Sequence, residues 1–178
     1  FLCDSLQKSK KVKYVSCHHE QAVAFAAESY ARHKRSMSGA VVTTGPGGTN
    51  TITGVASAWI DSVPVLFVSG QVFLNQTIKK TGLRQLGVQE IDIVSLVKPI
   101  TKYSIMVEDP NMIKYHLDKA SYESTNGRPG PVWIDIPANI QNAFINSSKL
   151  KSFIPSKKNS SYKLLDKQIK NIAEKIFQ

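Results

Sequence analysis

Cysteine is scarce: Cys3 and Cys17 are the only two in 178 residues. They make no C-x-x-C pair and no disulfide framework, so a reducing compartment, the cytoplasm, is the expectation. No run of apolar residues is long enough to span a bilayer, and no signal-peptide pattern stands ahead of the first apolar segment. Histidine is also rare. The adjacent His18 and His19 sit on a turn, where two side chains seldom converge on one ion, and no further ligand spacing accompanies them, so no metal site is expected in this chain. Acidic residues number 13 against 23 Lys and Arg, a net charge of +10. The excess is not spread evenly. Residues 141–178 hold eight lysines against Asp166 and Glu174, which is +6 and leaves +4 for the other 140 residues. A solvated lysine- and serine-rich linker explains this better than a phosphate-binding face, so neither nucleic acid nor membrane is an expected partner.

What is present is 42% hydrophobic residues, enough for one full core. The most informative stretch is Val41-Val42-Thr43-Thr44-Gly45-Pro46-Gly47-Gly48-Thr49-Asn50. It reads as a β-branched strand over Val41–Thr44, a glycine-rich turn stiffened by Pro46, and a helix start capped by Thr49 or Asn50. Ile52, Val55, Ala56 and Trp59 continue at helical spacing. A strand that ends in glycines and opens into a helix lets a ligand approach bare backbone, although an isolated Gly-Pro-Gly is equally an ordinary tight turn.

Along the chain, Leu2–Leu6 reads as a helix end and Val12–Cys17 as a strand. Glu20 begins a helix to about His33 with a buried stripe of Val23, Ala26, Ala27, Tyr30 and Ala31. After the glycine turn and the Ile52–Ile60 helix comes Pro64–Val68, apolar throughout, as a strand covered on both faces would be. Residues 70–90 form a long irregular loop, of the kind that is usually functional or mobile. Ile91–Val97 is a short helix stopped by Pro99, and Ile100–Val107 a strand. Asp109-Pro110 caps a helix that turns Ile113, Leu117 and Ala120 inward, and Val132–Ile136 is the last strand. The alternation predicts an α/β fold, a three-layer α/β/α sandwich around a mostly parallel sheet. Ala138–Ser161 reads as linker. Leu165, Ile169, Ile172, Ala173 and Ile176 then line one face of an amphipathic helix with nothing after it to pack on.

Taken together, His19-Glu20-Gln21, the run Ala26–Arg32, Thr44–Asn50, Asp61-Ser62-Val63-Pro64, Ser69-Gly70-Gln71-Val72, Gln89-Glu90, Ile100-Thr101-Lys102 and Gly127–Val132 resemble one family. They are similar, in order, to the N-terminal pyrimidine-binding domain of thiamine-diphosphate enzymes of the acetolactate synthase type. The resemblance runs from about Val12 to Gln141. It implies a pyrimidine-binding domain over residues 1–141 that lacks its first strand, a linker over 142–161, and the truncated start of a central domain over 162–178.

In such enzymes the cofactor's aminopyrimidine acts as an internal base, and it needs a carboxyl group to share a proton with the ring nitrogen on its far side. A mostly apolar pocket would favour that shared proton. The resemblance assigns the role to Glu20, whose bland alternative is a carboxylate at a helix start. It likewise implies that Pro46 and Asn50 contact the cofactor and that Gln89 reaches the active site. Gln71 supports the neighbouring loop or is a surface glutamine. Arg128 matches an arginine that touches FAD in true acetolactate synthases; otherwise it positions the Gly127–Pro131 turn. The implied magnesium would be held by residues outside this chain, because no Gly-Asp-Gly segment occurs here. The implied substrate is a 2-oxo acid such as pyruvate, in a homodimer or homotetramer whose active site lies between subunits. This chain alone is expected to be inactive.

The departures from the family lie in the 71–89 loop. Phe73 stands where proline is usual, and Val88 where a phenylalanine usually precedes Gln-Glu. A wider acceptor pocket follows, compatible with a keto-sugar acceptor. Two further readings remain: a separate pyrimidine-domain subunit of a two-chain 2-oxo-acid decarboxylase, and a non-catalytic scaffold that keeps only the fold.

Overall fold

The structure is a computed structural model, and it describes residues 1–79, 81–155 and 166–176, with Asp166 and Lys167 described by their backbone alone. In chain order the elements are α1 (Leu2–Lys8), α2 (Glu20–Lys34), β1 (Ser38–Val42), α3 (Pro46–Thr49), α4 (Ile52–Ile60), β2 (Val65–Gln71), α5 (Ile93–Val97), β3 (Tyr103–Met106), α6 (Ile113–Thr125), β4 (Val132–Pro137), α7 (Ala138–Gln141) and α8 (Asp166–Ile176). The four strands form one sheet in the order β1-β2-β4-β3, and every pairing is parallel. Helices cover both faces, so the fold is the three-layer α/β/α sandwich that the alternation of apolar runs implies.

Strand alternation divides the core in two. Val65 and Phe67 of β2 and Trp133 of β4 face the layer of α2, α4 and α5, where they meet Ala24, Ala27, Ala31, Val55 and Val97. Val132, Ile134 and Ile136 face the α6 layer with Ala120 and Val107. Phe67 and Trp133 are register partners and stack with ring centroids 5.4 Å apart. Small residues let α2 and α4 approach closely: a Cβ on Gly54 would stand 2.5 Å from that of Ala24.

Several elements differ from the sequence reading. Val12–Cys17 forms no regular element and pairs with no described strand, and Val15 is 86% exposed. Its alternating pattern has strand propensity, but propensity makes a strand only when a neighbour offers a ladder of backbone groups. β1 lies at Ser38–Val42 rather than Val41–Thr44, because Ser38 pairs with Val65 and the last two threonines already belong to the turn. On α2 the buried stripe is Ala24, Ala27, Glu28 and Ala31, while Ala26 and Tyr30 are exposed. Burying Glu28 is compensated by Arg32, which also donates to Asp61 Oδ2 at 2.7 Å at the end of α4. Leu117 and Trp59 are likewise more exposed than helical spacing alone implies.

The expected linker is partly docked. Within residues 142–155, Lys114 Nζ donates to Ser152 Oγ at 2.6 Å, and the Phe153 ring lies 5.5 Å from Tyr115 and 5.6 Å from Tyr122. The remainder of that expected linker, residues 156–161, lies outside the described residues, as do 162–165 and 177–178 of the terminal segment. In α8, Ile169, Ile172 and Ile176 are exposed.

Candidate active site

The carboxyl ends of β1 and β2 open into a cavity of about 520 Å³, the position at which ligands bind in open α/β sheets. Cys17, Glu20, Val23, Thr43, Thr44 and Gln71 are among its lining residues. Glu20 is the first residue of α2, so its carboxylate stands at the positive end of the helix. His19 closes that end by accepting from Gln21 N through Nδ1 at 3.1 Å.

The glycine turn delivers a second group to the same point. Gly45 has φ 59 and ψ −126, a conformation that a side chain would strain, and a Cβ there would stand 2.0 Å from the carbonyl oxygen of Gln89. Pro46 opens the short α3, at whose far end Asn50 Nδ2 donates to Glu20 Oε2 at 3.0 Å. Glu20 Oε1 lies 3.5 Å from the point a Cβ on Gly47 would occupy. Thr49 and Asn50 therefore do not cap α4. Thr49 Oγ1 donates back to Pro46 O, Asn50 turns to Glu20, and Thr51 Oγ1 donates to Gly48 O.

The electrostatics of Glu20 run opposite to the apolar-pocket expectation. Its pKa is lowered, first by the hydrogen bond from Asn50 and then by its own backbone N–H, which together outweigh desolvation. The side chain is half-buried and its partner amide is exposed, so the charged form is well supported.

The long loop is more ordered than its irregular sequence suggests. Glu90 is buried, and its carboxylate accepts from Ile78 N at 2.6 Å and Leu86 N at 3.4 Å. Gln71 ties the loop at both ends: Oε1 accepts from Val72 N at 3.0 Å and Nε2 donates to Ile91 O at 3.0 Å. Gln71 is thus a buried support of the loop and not a surface glutamine. Gln89 has φ 56 and is exposed beside Val88, which is 83% exposed.

Glu20 and Asn50 are joined directly, Pro46 is linked to Asn50 by the turn of α3, and Gln89 meets the glycine turn at Gly45; of the four, Glu20 lines the cavity. Arg128 is not with them. It lies in the loop that enters β4, at the opposite end of the parallel strands, where Nε donates to Ser62 Oγ at 2.6 Å and a terminal nitrogen to Ile60 O at 3.4 Å. Among the described residues no group of three or more His, Cys, Asp and Glu converges as a metal site would require, and no helix is long and apolar enough to cross a membrane.

Sequence reasoning missed a buried polar set next to the site. Ser69 Oγ donates to Asp135 Oδ1 at 2.5 Å, Trp133 Nε1 donates to Ser69 Oγ at 2.8 Å, and Gln71 Nε2 donates to Asp135 Oδ2 at 3.0 Å. Thr44 Oγ1 completes it by donating to Gln71 Oε1 at 2.5 Å. Burial pushes the Asp135 carboxyl up to about 7, against the lowering effect of its two donors, and the charges of Asp92 and Glu90 add to the rise. The available signal was an aspartate inside an otherwise apolar strand.

Comparison with known proteins fits this geometry. Residues 1–96 match the family model of the thiamine pyrophosphate enzyme N-terminal TPP-binding domain. The chain is 41% identical over 143 residues to the acetolactate synthase large subunit of Corynebacterium glutamicum, covering 79% of this chain and 21% of that protein. It is 39% identical over 140 residues to acetolactate synthase of Arthrospira platensis, covering 79% of this chain and 23% of that one. It is 32% identical over 174 residues to mitochondrial acetolactate synthase of Schizosaccharomyces pombe, covering 97% of this chain and 25% of that one. The chain thus spans about a fifth to a quarter of the length of these relatives.

Proposed function

The chain belongs to the thiamine pyrophosphate enzymes, through their N-terminal TPP-binding domain, and from that premise we propose that it supplies the pyrimidine-facing wall of a carboligase acting on a 2-oxo acid such as pyruvate. One observation carries this reading: the Glu20 carboxylate, fixed by Asn50 and set beside Gly47 of the glycine turn, lines the cavity. The residues present fit the pyrimidine half of the cofactor. Gly47 lets the turn pack tightly against Thr43 beside Oε1, where a Cβ would stand 2.5 Å from Thr43 Cγ2, and the Asn50 bond to Oε2 fixes the plane of the carboxylate.

Thiamine diphosphate, when bound, supplies a thiazolium carbon acid whose deprotonation makes the nucleophile for 2-oxo acids. Glu20 would hold a proton between Oε1 and a ring nitrogen. Because its own environment favours the carboxylate, the proton it shares must be drawn from solvent or ligand on binding. Pro46 and Asn50 would flank the ring, and Gln89, pressed against Gly45, would face the reacting end. Magnesium and the diphosphate would be held by residues outside this chain, in a paired assembly of two or four subunits. Should FAD bind, Arg128, held by Ser62 and Ile60, would be the residue of this chain to meet it. The exposed, small Val88 next to Gln89 also supports a bulkier acceptor such as a keto-sugar.

Glu20→Gln in the full-length protein tests the assignment. Glutamine keeps the size and the contact with Asn50 but cannot exchange a proton, so exchange at the thiazolium carbon, followed by NMR, should slow by about 10²–10⁴-fold. An exchange rate equal to the parent's would remove Glu20 from this role.

A further inference from the structure

Asp135 is 1% exposed, in a strand whose six residues are all buried. A buried carboxyl is costly unless every oxygen finds a donor. Here both oxygens do, and both donors are neutral side chains of β2, Ser69 and Gln71. The placement follows from the pairing: Ser69 and Asp135 are register partners, and Gln71 lies two residues on, on the same face.

The chemistry of the Gln71 amide makes this arrangement directional. Its Nε2 donates to Asp135 Oδ2 and to Ile91 O, and its Oε1 accepts from Thr44 Oγ1 and Val72 N. With the amide flipped, NH2 would face the Val72 N–H and the carbonyl oxygen would face Ile91 O, so both ends of the loop would lose their tie. Above about pH 7, where the Asp135 carboxyl is ionised, it only accepts, and it then selects the one orientation that holds the loop. Ser69 Oγ accepts from Trp133 Nε1 and donates to Oδ1, so Oδ2 is left to Gln71.

We propose that Asp135 is a positioning residue: through Gln71 it fastens both ends of the 72–90 loop to the Thr44–Gly45 turn, and so sets Gln89 against the site of Glu20. The significance of Gln89 and Glu20 rests on the function proposed above; the fastening itself does not. Asp135 hydrogen-bonds to neither Glu20 nor Gln89; its effect passes through the amide of Gln71, which lines the cavity.

The test is amide hydrogen exchange at pH 8, above the raised titration of Asp135, in the full-length protein without cofactor or substrate, resolved for residues 72–90 and for the strands at 65–69 and 132–136. Asp135→Asn should speed exchange in 72–90 by about tenfold, the scale of losing one or two hydrogen bonds, and leave the strands at parent rates. Gln71→Met should do the same, and the double variant should add nothing to it. Trp133→Phe perturbs the same core without touching Gln71 and should leave the loop protected. A loop at parent rates in Asp135→Asn, or loosened as much by Trp133→Phe, overturns the proposal. Should Asp135→Asn not fold, Gln71→Met and Gln71→Glu decide, the latter setting a carboxylate against Asp135. Release of the loop in both upholds the proposal, and a protected loop in either overturns it. No readout here involves thiamine, so failure of the functional reading would appear in the Glu20→Gln experiment and not in this one.

Discussion

Replacing Gly45 with alanine should detach the 72–90 loop from the glycine turn. Two effects combine. Gly45 sits at φ 59 and ψ −126, and holding a residue with a side chain in such a sparsely populated region costs about 1–3 kcal/mol. The new methyl would also stand 2.0 Å from Gln89 O, closer than the 3.0 Å below which real Cβ contacts essentially never fall, so at least 1 Å of movement is required. The turn is the less able to yield, since Gly48 is buried with the Ile93 side chain 3.3 Å from where its own Cβ would be. Gln89 is exposed and flanked by exposed Val88, so the loop gives way. A combined cost of about 2 kcal/mol should speed local amide exchange at residues 86–92 by roughly thirtyfold. Gly82→Ala is the control: φ is +71 there too, but nothing lies within 4 Å, so only about 1–2 kcal/mol of backbone strain applies and it stays local. Equal exchange at 86–92 in Gly45→Ala and the parent would refute the reasoning.

Stability of the domain should fall as pH rises from about 4 to about 7 on account of Asp135. In that interval the folded state keeps a proton that the unfolded state has lost, so the slope is about −1.4 kcal/mol per pH unit for one proton, and urea unfolding of Asp135→Asn should lack this component. Glu20 has the opposite sign: its contribution is present above the ordinary carboxylate pKa and is lost as pH falls through its lowered value, a trend Glu20→Gln should abolish in the same titration. Val88→Phe should leave stability within about 0.5 kcal/mol and shift product ratios toward small 2-oxo acids, as measured with pyruvate against a larger acceptor; an unchanged ratio removes Val88 from the pocket. The 178-residue chain by itself should bind thiamine diphosphate with magnesium more weakly than about 1 μM, or about −8 kcal/mol, by calorimetry.

Features set by local chemistry were legible in the sequence. Ile52–Ile60 is helical over the expected residues, and Val132–Ile136 is a strand because five residues of that composition admit little else. The glycine turn announced itself, and so did Glu20 at a helix start. Features set by partners were not legible. Val12–Cys17 has the composition of a strand, but pairing is a property of two segments. Ala24 and Ala26 are chemically identical, and only the approach of α4 to α2 decides which is buried. Asn50 passed for a cap because the short α3 intervenes between turn and helix. Phe153 passed for linker because its ring cage comes from Tyr115 and Tyr122 on α6. Asp135 was visible as a letter, but its meaning depends on which residue of β2 stands opposite.

That register has a consequence for how the chain folds. β2 and β4 are parallel and their paired residues lie 66 positions apart, so they meet only after a long stretch of chain has closed. Hydrophobic strands meeting late are prone to mispair, because Val, Leu, Ile and Phe pack tolerably in several alignments. A slip of one residue would turn Ser69 and Gln71 toward α6 and leave the Asp135 carboxyl among apolar side chains with no donor. Each wrong alignment is thereby penalised by a solvation energy that no packing recovers. Ser69, Gln71 and Asp135 thus act as a proofreading device, rejecting misaligned sheets before the loop above them can close.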